Sequence, residues 1–503
     1  MRSSTVRLAV TLADGPYVFE VSTGLVSFTM DWWAPSQGAK PEGWGPHANI
    51  LEVDLTSPRL IAFASALAPA YLRIGGSLDK QVTYDMSGTG RCAGALCLNA
   101  SRWEAIHRFA AATGNKVVFG LSYPEGATEG TWDSRQAEEL FNYSKKRGLD
   151  ADATLYGFEL GEELTKYRLG TDAFSRYTAA FHRCATLLRA TFGTGSARPK
   201  LMGPCPGMSW PQLATWYPAF LKGAAGALDV SVYHSYNQIR PEPPRVLYLN
   251  ETVPSGNLST QHGTSPGGTG WQGQAQAEWA REAGVPLWLG EFGPHNGGGG
   301  GEYASTFVSS FGYIDTIGSL ARLNHSVLAR QTLVGGNYEL CRCSSGGDGG
   351  AEAPAGCDFE PHPDFWVALL WRRLMGQKVL GTPLLSSPAS GLRLHAHCSA
   401  GGARNGSVTL SFSNMLESVS YQLEFDAARG LGQRLEYILS AANATEGMGA
   451  RRIALNGAPL RSGPAGAVVP DTRGRWRSSS TFVASPLTLG FLTFPNARVS
   501  ACE

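Results

Sequence analysis

Long apolar runs are missing from this 503-residue chain, and so is an excess of charge of either sign. No stretch reaches the roughly 20 apolar residues that a membrane-spanning helix needs. Its 42 basic and 41 acidic residues leave a formal charge of +1, so composition gives no reason to expect nucleic acid or an anionic membrane as partner. Metal-type spacing is missing too. The nine cysteines (Cys92, Cys97, Cys184, Cys205, Cys341, Cys343, Cys357, Cys398 and Cys502) form no zinc pattern with histidine, and Cys341 and Cys343 are too close for an ordinary C-x-x-C pair. The expectation is a protein with no metal and no other cofactor. Nine is odd, so at least one thiol stays unpaired within the chain. An apolar leader is also lacking in Met1–Val10. Against that stand seven Asn-x-Ser/Thr sequons, at Asn99, Asn142, Asn250, Asn257, Asn324, Asn405 and Asn443. They favour a secretory route, where such sites receive glycans. The expectation is a secreted protein, extracellular or in a lysosome- or vacuole-like compartment.

What is present begins with length: 503 residues exceed what one core usually supports, so two domains are expected. The 62 glycines gather in loops without a repeat, which excludes a collagen-like chain. Short apolar runs alternate with amphipathic stretches over residues 25–380. The predicted strands are Leu25–Trp32, Tyr71–Gly76, Lys116–Ser122, Gly157–Glu163, Lys200–Pro206, Leu228–Tyr236, Pro286–Gly293 and Val327–Gly336. Helical periodicity lies between them, as in Ser101–Thr113, Ser134–Arg147, Ala173–Thr191, Gln274–Ala283 and Glu302–Leu323, and Pro363–Met375 follows the last strand. Eight strand–helix units predict an α/β chain folded as a (β/α)8 TIM barrel, whose parallel strands are buried on both faces.

After residue 380 the helical period disappears. Gly391–Cys398, Ser407–Ser413, Val419–Phe425, Arg434–Leu439, Arg451–Leu455 and Leu487–Phe494 read as short strands of a β-sandwich accessory domain. Residues 1–24 are expected to join residues 381–503 there, with Val6–Leu12 and Tyr17–Val21 as a hairpin around Asp14-Gly15. Cys398 and Cys502 then share one sandwich and are expected to form a disulfide, with Cys92–Cys97 the next candidate. Three long loops, Thr83–Leu98, Asn237–Trp271 and Cys341–Cys357, all follow barrel strands and should crowd one end of the barrel.

Two glutamates end predicted strands: Glu163 in Gly157-Phe-Glu-Leu-Gly-Glu-Glu-Leu164 and Glu291 in Pro286-Leu-Trp-Leu-Gly-Glu-Phe-Gly293. A barrel places its reacting groups at such strand ends, and two carboxyls facing each other are the equipment for cleaving a glycosidic bond. The same strings, with Phe28-Thr-Met-Asp-Trp-Trp33, Tyr71-Leu-Arg-Ile-Gly-Gly-Ser77, Arg330-Gln-Thr-Leu-Val-Gly-Gly-Asn-Tyr338 and Pro363-Asp-Phe-Trp-Val-Ala-Leu-Leu-Trp371, make the chain resemble the heparanase-like β-glucuronidases of glycoside hydrolase family 79, the plant-type members in particular. Six strings in order span nearly the whole chain. The resemblance implies a barrel with a β-sandwich and metal-free, retaining hydrolysis of β-linked glucuronic acid, on a glycan or a small glucuronide. It makes Glu163 the general acid/base and Glu291 the nucleophile. It implies substrate contacts for Asp31, Ser77, Glu162, His234, Tyr236, Gly297, Gly298, Gln331, Asn337 and Tyr338, and support of the nucleophile by Arg73.

Two positions carry their own chemistry. The run Asn296-Gly-Gly-Gly-Gly-Gly301 lets successive backbone N–H groups turn towards an anion; the resemblance sets Gly297, Gly298 and the Tyr338 hydroxyl around the glucuronate carboxylate, while a plain loop would read identically. Glu162 stands where the family pattern has Asn. It keeps an acceptor for a sugar 2-hydroxyl, loses the amide donor and adds charge beside Glu163, so Glu162→Asn is expected to raise activity or move the basic limb of the pH profile downward. A swung-out, solvated Glu162 is the plainer alternative. Trp32, Trp33 and Trp44 are either sugar-stacking positions or core. Two other readings stay open: a retaining glycosidase for a neutral sugar, and a catalytically silent carbohydrate-binding homologue.

Overall fold

Short apolar runs can bury both faces only inside a closed layer of helices, and that is where they lie. The computed structural model describes residues 4–12, 15–33, 44, 48–90, 92, 96–123, 132–164, 171–207, 213–236, 269–295, 297–298, 302–344, 357–389, 391–401, 404–463 and 469–503. Most of the loop Asn237–Trp271, the central part of Cys341–Cys357, and Asn296 with Gly299–Gly301 fall outside the described residues.

Eight parallel strands close into a barrel: β1 Val26–Met30, β2 Tyr71–Ile74, β3 Lys116–Leu121, β4 Leu155–Leu160, β5 Lys200–Pro204, β6 Val230–Tyr236, β7 Leu287–Gly293 and β8 His325–Arg330. Each is followed by a helix: α1 Pro58–Ala66, α2 Ala100–Thr113, α3 Arg135–Lys146, α4 Thr171–Phe192, α5 Leu213–Gly223, α6 Thr269–Ala283, α7 Phe307–Ala321 and α8 Pro363–Leu374. Sequence signals set these limits. Ser57 caps α1 ahead of Pro58, and Asn99 opens α2, which ends at left-handed Gly114. The barrel interior is filled rather than hollow. Tyr71, Tyr156 and Trp288 pack as its floor, with Tyr156 and Trp288 stacked nearly parallel 5.2 Å apart and Tyr71 tilted against both, among Val118, Met202, Val232 and Val327.

Beyond two two-stranded ribbons, Thr83–Asp85 with Cys97–Asn99 and Cys341–Ser344 with Asp358–Pro361, the described residues form two larger sheets. One has four strands in the order Leu384–Leu385, Ser4–Thr11, Val419–Phe425 and Thr481–Ala484. The other has nine, including Phe19–Glu20, Met375–Val379, Leu392–Ser399, Val408–Asn414, Thr488–Phe494 and Gln433–Ala441. Period-two alternation divides the labour of the nine-stranded sheet. Leu489 and Phe491 join the barrel's apolar core, whereas Leu492 and Phe494 join Leu8, Val10, Leu423 and Phe482 of the four-stranded sheet. Helix α7 is thereby covered on all sides, which is why every residue in it is buried.

The N-terminal hairpin expectation is corrected. Ser4–Thr11 runs parallel to Val419–Phe425, whereas Phe19–Glu20 pairs with Lys378 and Val379 in the other sheet. The turn at Gly15 carries the chain between sheets, because the apolar residues of the two segments serve different cores. Two strand ends also differ from expectation. Strand β4 stops at Leu160, where Gly161 takes a positive φ that ends the extended run, and β8 stops at Arg330, short of the expected Gly336. Disulfides join Cys92 to Cys97, Cys343 to Cys357 and Cys398 to Cys502, leaving Cys184, Cys205 and Cys341 as buried thiols.

Candidate active site

The C-terminal ends of the barrel strands converge on one guanidinium. Arg73, on β2, is 1 % exposed and donates in three directions: Nε to Glu159 at 2.8 Å, Nη1 to Glu291 at 2.7 Å and Nη2 to Glu162 at 2.5 Å. Burial works to strip its proton, but the charges of Glu162, Glu159, Glu291 and Asp79 outweigh that and hold its pKa well above the ordinary value. The fork shape of arginine is what permits three acceptors at fixed angles.

Local backbone choices aim the carboxylates. Tyr177 of α4 donates to the Leu160 carbonyl at 2.8 Å and fixes the end of β4. Gly161 then turns through φ +81°, and Glu163 itself sits at φ +43°, an uncommon conformation for a residue with a β-carbon, held by its N–H to the Cys205 carbonyl at 3.0 Å. On β7 the register against β6 slips by one: Tyr233 faces Leu289, but His234 faces Glu291. Gly290 is the extra residue. A β-carbon there would lie 2.4 Å from Val232, so this bulge, which directs Glu291 into the mouth, depends on glycine. Gly76 makes similar room at φ +138°, since a β-carbon would meet the Asp31 carboxylate at 2.4 Å.

Glu162, Glu163, His234 and Glu291 are all buried, and one donor atom of each lies within 4.8 Å of every other. Glu291 receives Arg73 on Oε2 and the Tyr236 hydroxyl on Oε1. Burial, and then the charge of Glu291, raise the Tyr236 pKa, so it remains a donor. His234 Nδ1 lies 3.5 Å from Glu163 and 3.6 Å from Glu162. Burial, opposed by Arg73 and reinforced by Glu291, Asp79 and Glu159, raises Glu162 well above the usual carboxylate range. Glu162 is buried and accepts from Arg73, so it is neither swung out nor solvated. Asp31, beyond β1, accepts from the Trp32 N–H at 2.6 Å and the Gln331 amide at 2.9 Å. Burial and then the charge of Glu291 push it up to about 7, against the Trp32 N–H, Arg73 and Gln331.

Most of the residues singled out from sequence meet here: Asp31, Arg73, Glu162, Glu163, His234, Tyr236, Glu291, Gln331 and Tyr338. Tyr338 hydrogen-bonds Gln331 and stacks 6.4 Å from Tyr236. Gly297 and Gly298 both have positive φ, and the Asn337 N–H donates to the Gly298 carbonyl at 2.7 Å, tying the loop after β7 to the loop after β8. Ser77 is exposed at the rim. Trp32 belongs to the core, 5.6 Å from Phe119 with its indole N–H on Asp79, whereas Trp33 and Trp44 flank the Tyr236–Tyr338 wall. Tyr233 turns outward, its hydroxyl 2.8 Å from His325 Nε2. Sequence reasoning missed Glu159 and Asp79, although a glutamate inside an apolar strand was a readable sign. Two groups bring metal-type donors together among the described residues, Glu159–Cys205–His234 and Glu162–Glu163–His234–Glu291. Arg73 already presents its positive charge to both.

Residues 7–318 match the profile of glycosyl hydrolase family 79, N-terminal domain. The chain belongs to that family. It is a glycoside hydrolase, acting on O-glycosyl bonds. Heparanase-like protein 1 of Arabidopsis thaliana is 27 % identical, over 100 % of this chain and 96 % of the relative. Baicalin-beta-D-glucuronidase of Scutellaria baicalensis is 25 % identical, over 98 % and 93 %. A solved 4-O-alpha-L-rhamnosyl-beta-D-glucuronidase from Fusarium oxysporum superposes with a TM-score of 0.63 at 13 % identity, over 97 % of this chain and 100 % of the other. That likeness concerns the fold.

Proposed function

We propose that the protein is a retaining β-glucuronidase that removes β-linked glucuronic acid from glycans or small glucuronides by double displacement. The observation that carries this reading is the meeting of two buried carboxyls at the barrel mouth, one of them held by a cation. Glu291 receives a guanidinium and a phenol, as a carboxylate that must attack while ionised requires. Glu163 lies beside it, with donor atoms of the two within 4.8 Å, which suits the roughly 5–5.5 Å separation of retaining enzymes. Glu291 attacks the anomeric carbon as Glu163 protonates the departing oxygen. Glu163 then takes a proton from water, which releases the sugar from Glu291. Glu162 hydrogen-bonds the 2-hydroxyl, and Asp31 and Gln331 hold the remaining hydroxyls. The family relationship, the baicalin-beta-D-glucuronidase relative and the neutral donors near Tyr338, Gly297 and Gly298 support an acidic sugar.

The test compares chromogenic β-glucuronide with β-glucoside and repeats both with Glu163→Gln and Glu291→Gln. Loss of glucuronide cleavage in Glu291→Gln, and in Glu163→Gln a loss of about 10²–10⁴-fold that shrinks as the leaving group becomes more acidic, is expected. Glucoside preference would move the reading to a neutral sugar. Measurable glycan binding without turnover would make the protein a silent homologue.

The same proposal takes residues 25–380 as the catalytic barrel, and 1–24 with 381–503 as a β-sandwich accessory domain, supported by the core shared between the two sheets. Separate calorimetric transitions would support that division, and one shared transition would count against it. Secretion is supported by three disulfides and by exposure of all five described sequon asparagines, Asn99, Asn142, Asn324, Asn405 and Asn443. Mass mapping of these sites in protein from its native source checks it; five unmodified asparagines would argue against it.

A further inference from the structure

Arginine's three donor directions lie in one plane, so fixing one of them orients the other two. In this site the fixed direction is Nε, which donates to Glu159 Oε2 at 2.8 Å. Glu159 is fully buried, one residue before the C-terminal end of β4. The carboxylate has nowhere else to go. Its other oxygen accepts no hydrogen bond among the described residues, and it lies against the β7 bulge, 3.4 Å from where a β-carbon on Gly290 would sit. The terminal nitrogens of the guanidinium then fall on Glu291 and Glu162.

We propose that Glu159 is a positioning residue for the reaction: it clamps the Arg73 guanidinium so that Nη1 stays on the nucleophile Glu291. The inference rests on the proposed role of Glu291 and adds a group that reaches no substrate atom. It also explains why a barrel interior tolerates a third carboxylate beneath two reacting ones. Without an acceptor at Nε, the guanidinium can rotate about its stem towards Glu162, which already takes Nη2 at 2.5 Å. Glu291 would then lose its cation in the attacking geometry. With an acceptor there, the fork is held whether or not that acceptor is charged, so orientation and charge can be separated by substitution.

Glu159→Gln keeps an oxygen for Nε and removes one negative charge near Glu291; Glu159→Leu removes both. Each is assayed by kcat, KM and the kcat/KM pH profile, on whichever β-glycoside the wild-type enzyme turns over, so that a wrong sugar assignment leaves the test intact. Glu159→Leu should lower kcat by about 10–100-fold with KM within a few-fold, the signature of a misplaced reacting group. Glu159→Gln should retain kcat within about threefold and move the acidic limb down by about half a unit to one unit, because a neighbouring negative charge has gone. Wild-type kcat in Glu159→Leu, or a fall in Glu159→Gln as deep as in Glu159→Leu, would overturn the clamp. Should Glu159→Leu fail to fold, Glu159→Gln decides alone: an unmoved acidic limb, or kcat reduced more than about tenfold, sinks the proposal.

Discussion

Asp31→Asn should make the protein more stable at pH 8 and leave it nearly unchanged at pH 4. The side chain is 3 % exposed, so solvent does little to screen it. Its pKa rises from 3.8 to about 7, chiefly through burial and then through Glu291. A carboxyl raised on folding contributes stability that is fully present below its unfolded value of about 4 and is lost as pH climbs through about 7. A shift of about three units corresponds to about 4 kcal/mol. An amide cannot ionise, so the variant escapes this loss. Its hydrogen bonds can be kept: Asn Oδ1 still accepts the Trp32 N–H, and Gln331, which donates to Asp31 at 2.9 Å and accepts from Thr29, can turn its amide over to serve both neighbours. The measurement is urea unfolding followed by tryptophan fluorescence at pH 4, 6 and 8. Asp79 and Glu162 are also raised and bend both curves, so the difference between variant and wild type is the quantity to read. A difference that stays constant from pH 4 to 8 would refute the reasoning.

Other outcomes follow from the same contacts. Arg73→Met leaves Glu159, Glu162 and Glu291 without their shared cation and should cost about 3–5 kcal/mol of stability in urea unfolding; in any folded variant the acidic limb of kcat/KM should move up by about one to two units, because removal of a cation favours the neutral carboxyl. Glu162→Asn should extend activity to higher pH, since Glu162 is raised by burial and by Glu291 and its deprotonation would place a new charge beside the proposed pair Glu163 and Glu291. That direction reverses the expectation drawn from an ionised Glu162, and a basic limb moving down would restore the earlier view. Cys398→Ala opens a loop closed across 104 residues and should lower stability by about 2–5 kcal/mol, measured under oxidising conditions; an unchanged unfolding midpoint would show that the bond adds little.

The barrel was readable because its period is written locally. Eight apolar runs separated by helical segments leave few alternatives, and Glu163 and Glu291 could be picked out because each follows such a run. Arg73, His234 and Tyr236 were named through the family resemblance, as residues of its short motifs. The destinations of the N-terminal segments were not readable. Ser4–Thr11 and Phe19–Glu20 look like neighbours, yet strand pairing depends on free edges, and the two edges that accept them are built from residues 375–425.

The sequence by itself determined the eight strand–helix units, the family and which carboxyls stand at the strand ends, because side-chain period and short motifs survive without a fold. Tertiary structure alone decided how those carboxyls share one cation. The slip at Gly290 that brings Glu291 opposite His234, the left-handed turn at Glu163 and the hidden partner Glu159 arise where five separate strands meet. Proton affinity followed from the same meeting. Glu162 and Asp31 are ordinary carboxyls in the chain, and it is enclosure beside Glu291 that raises their pKa.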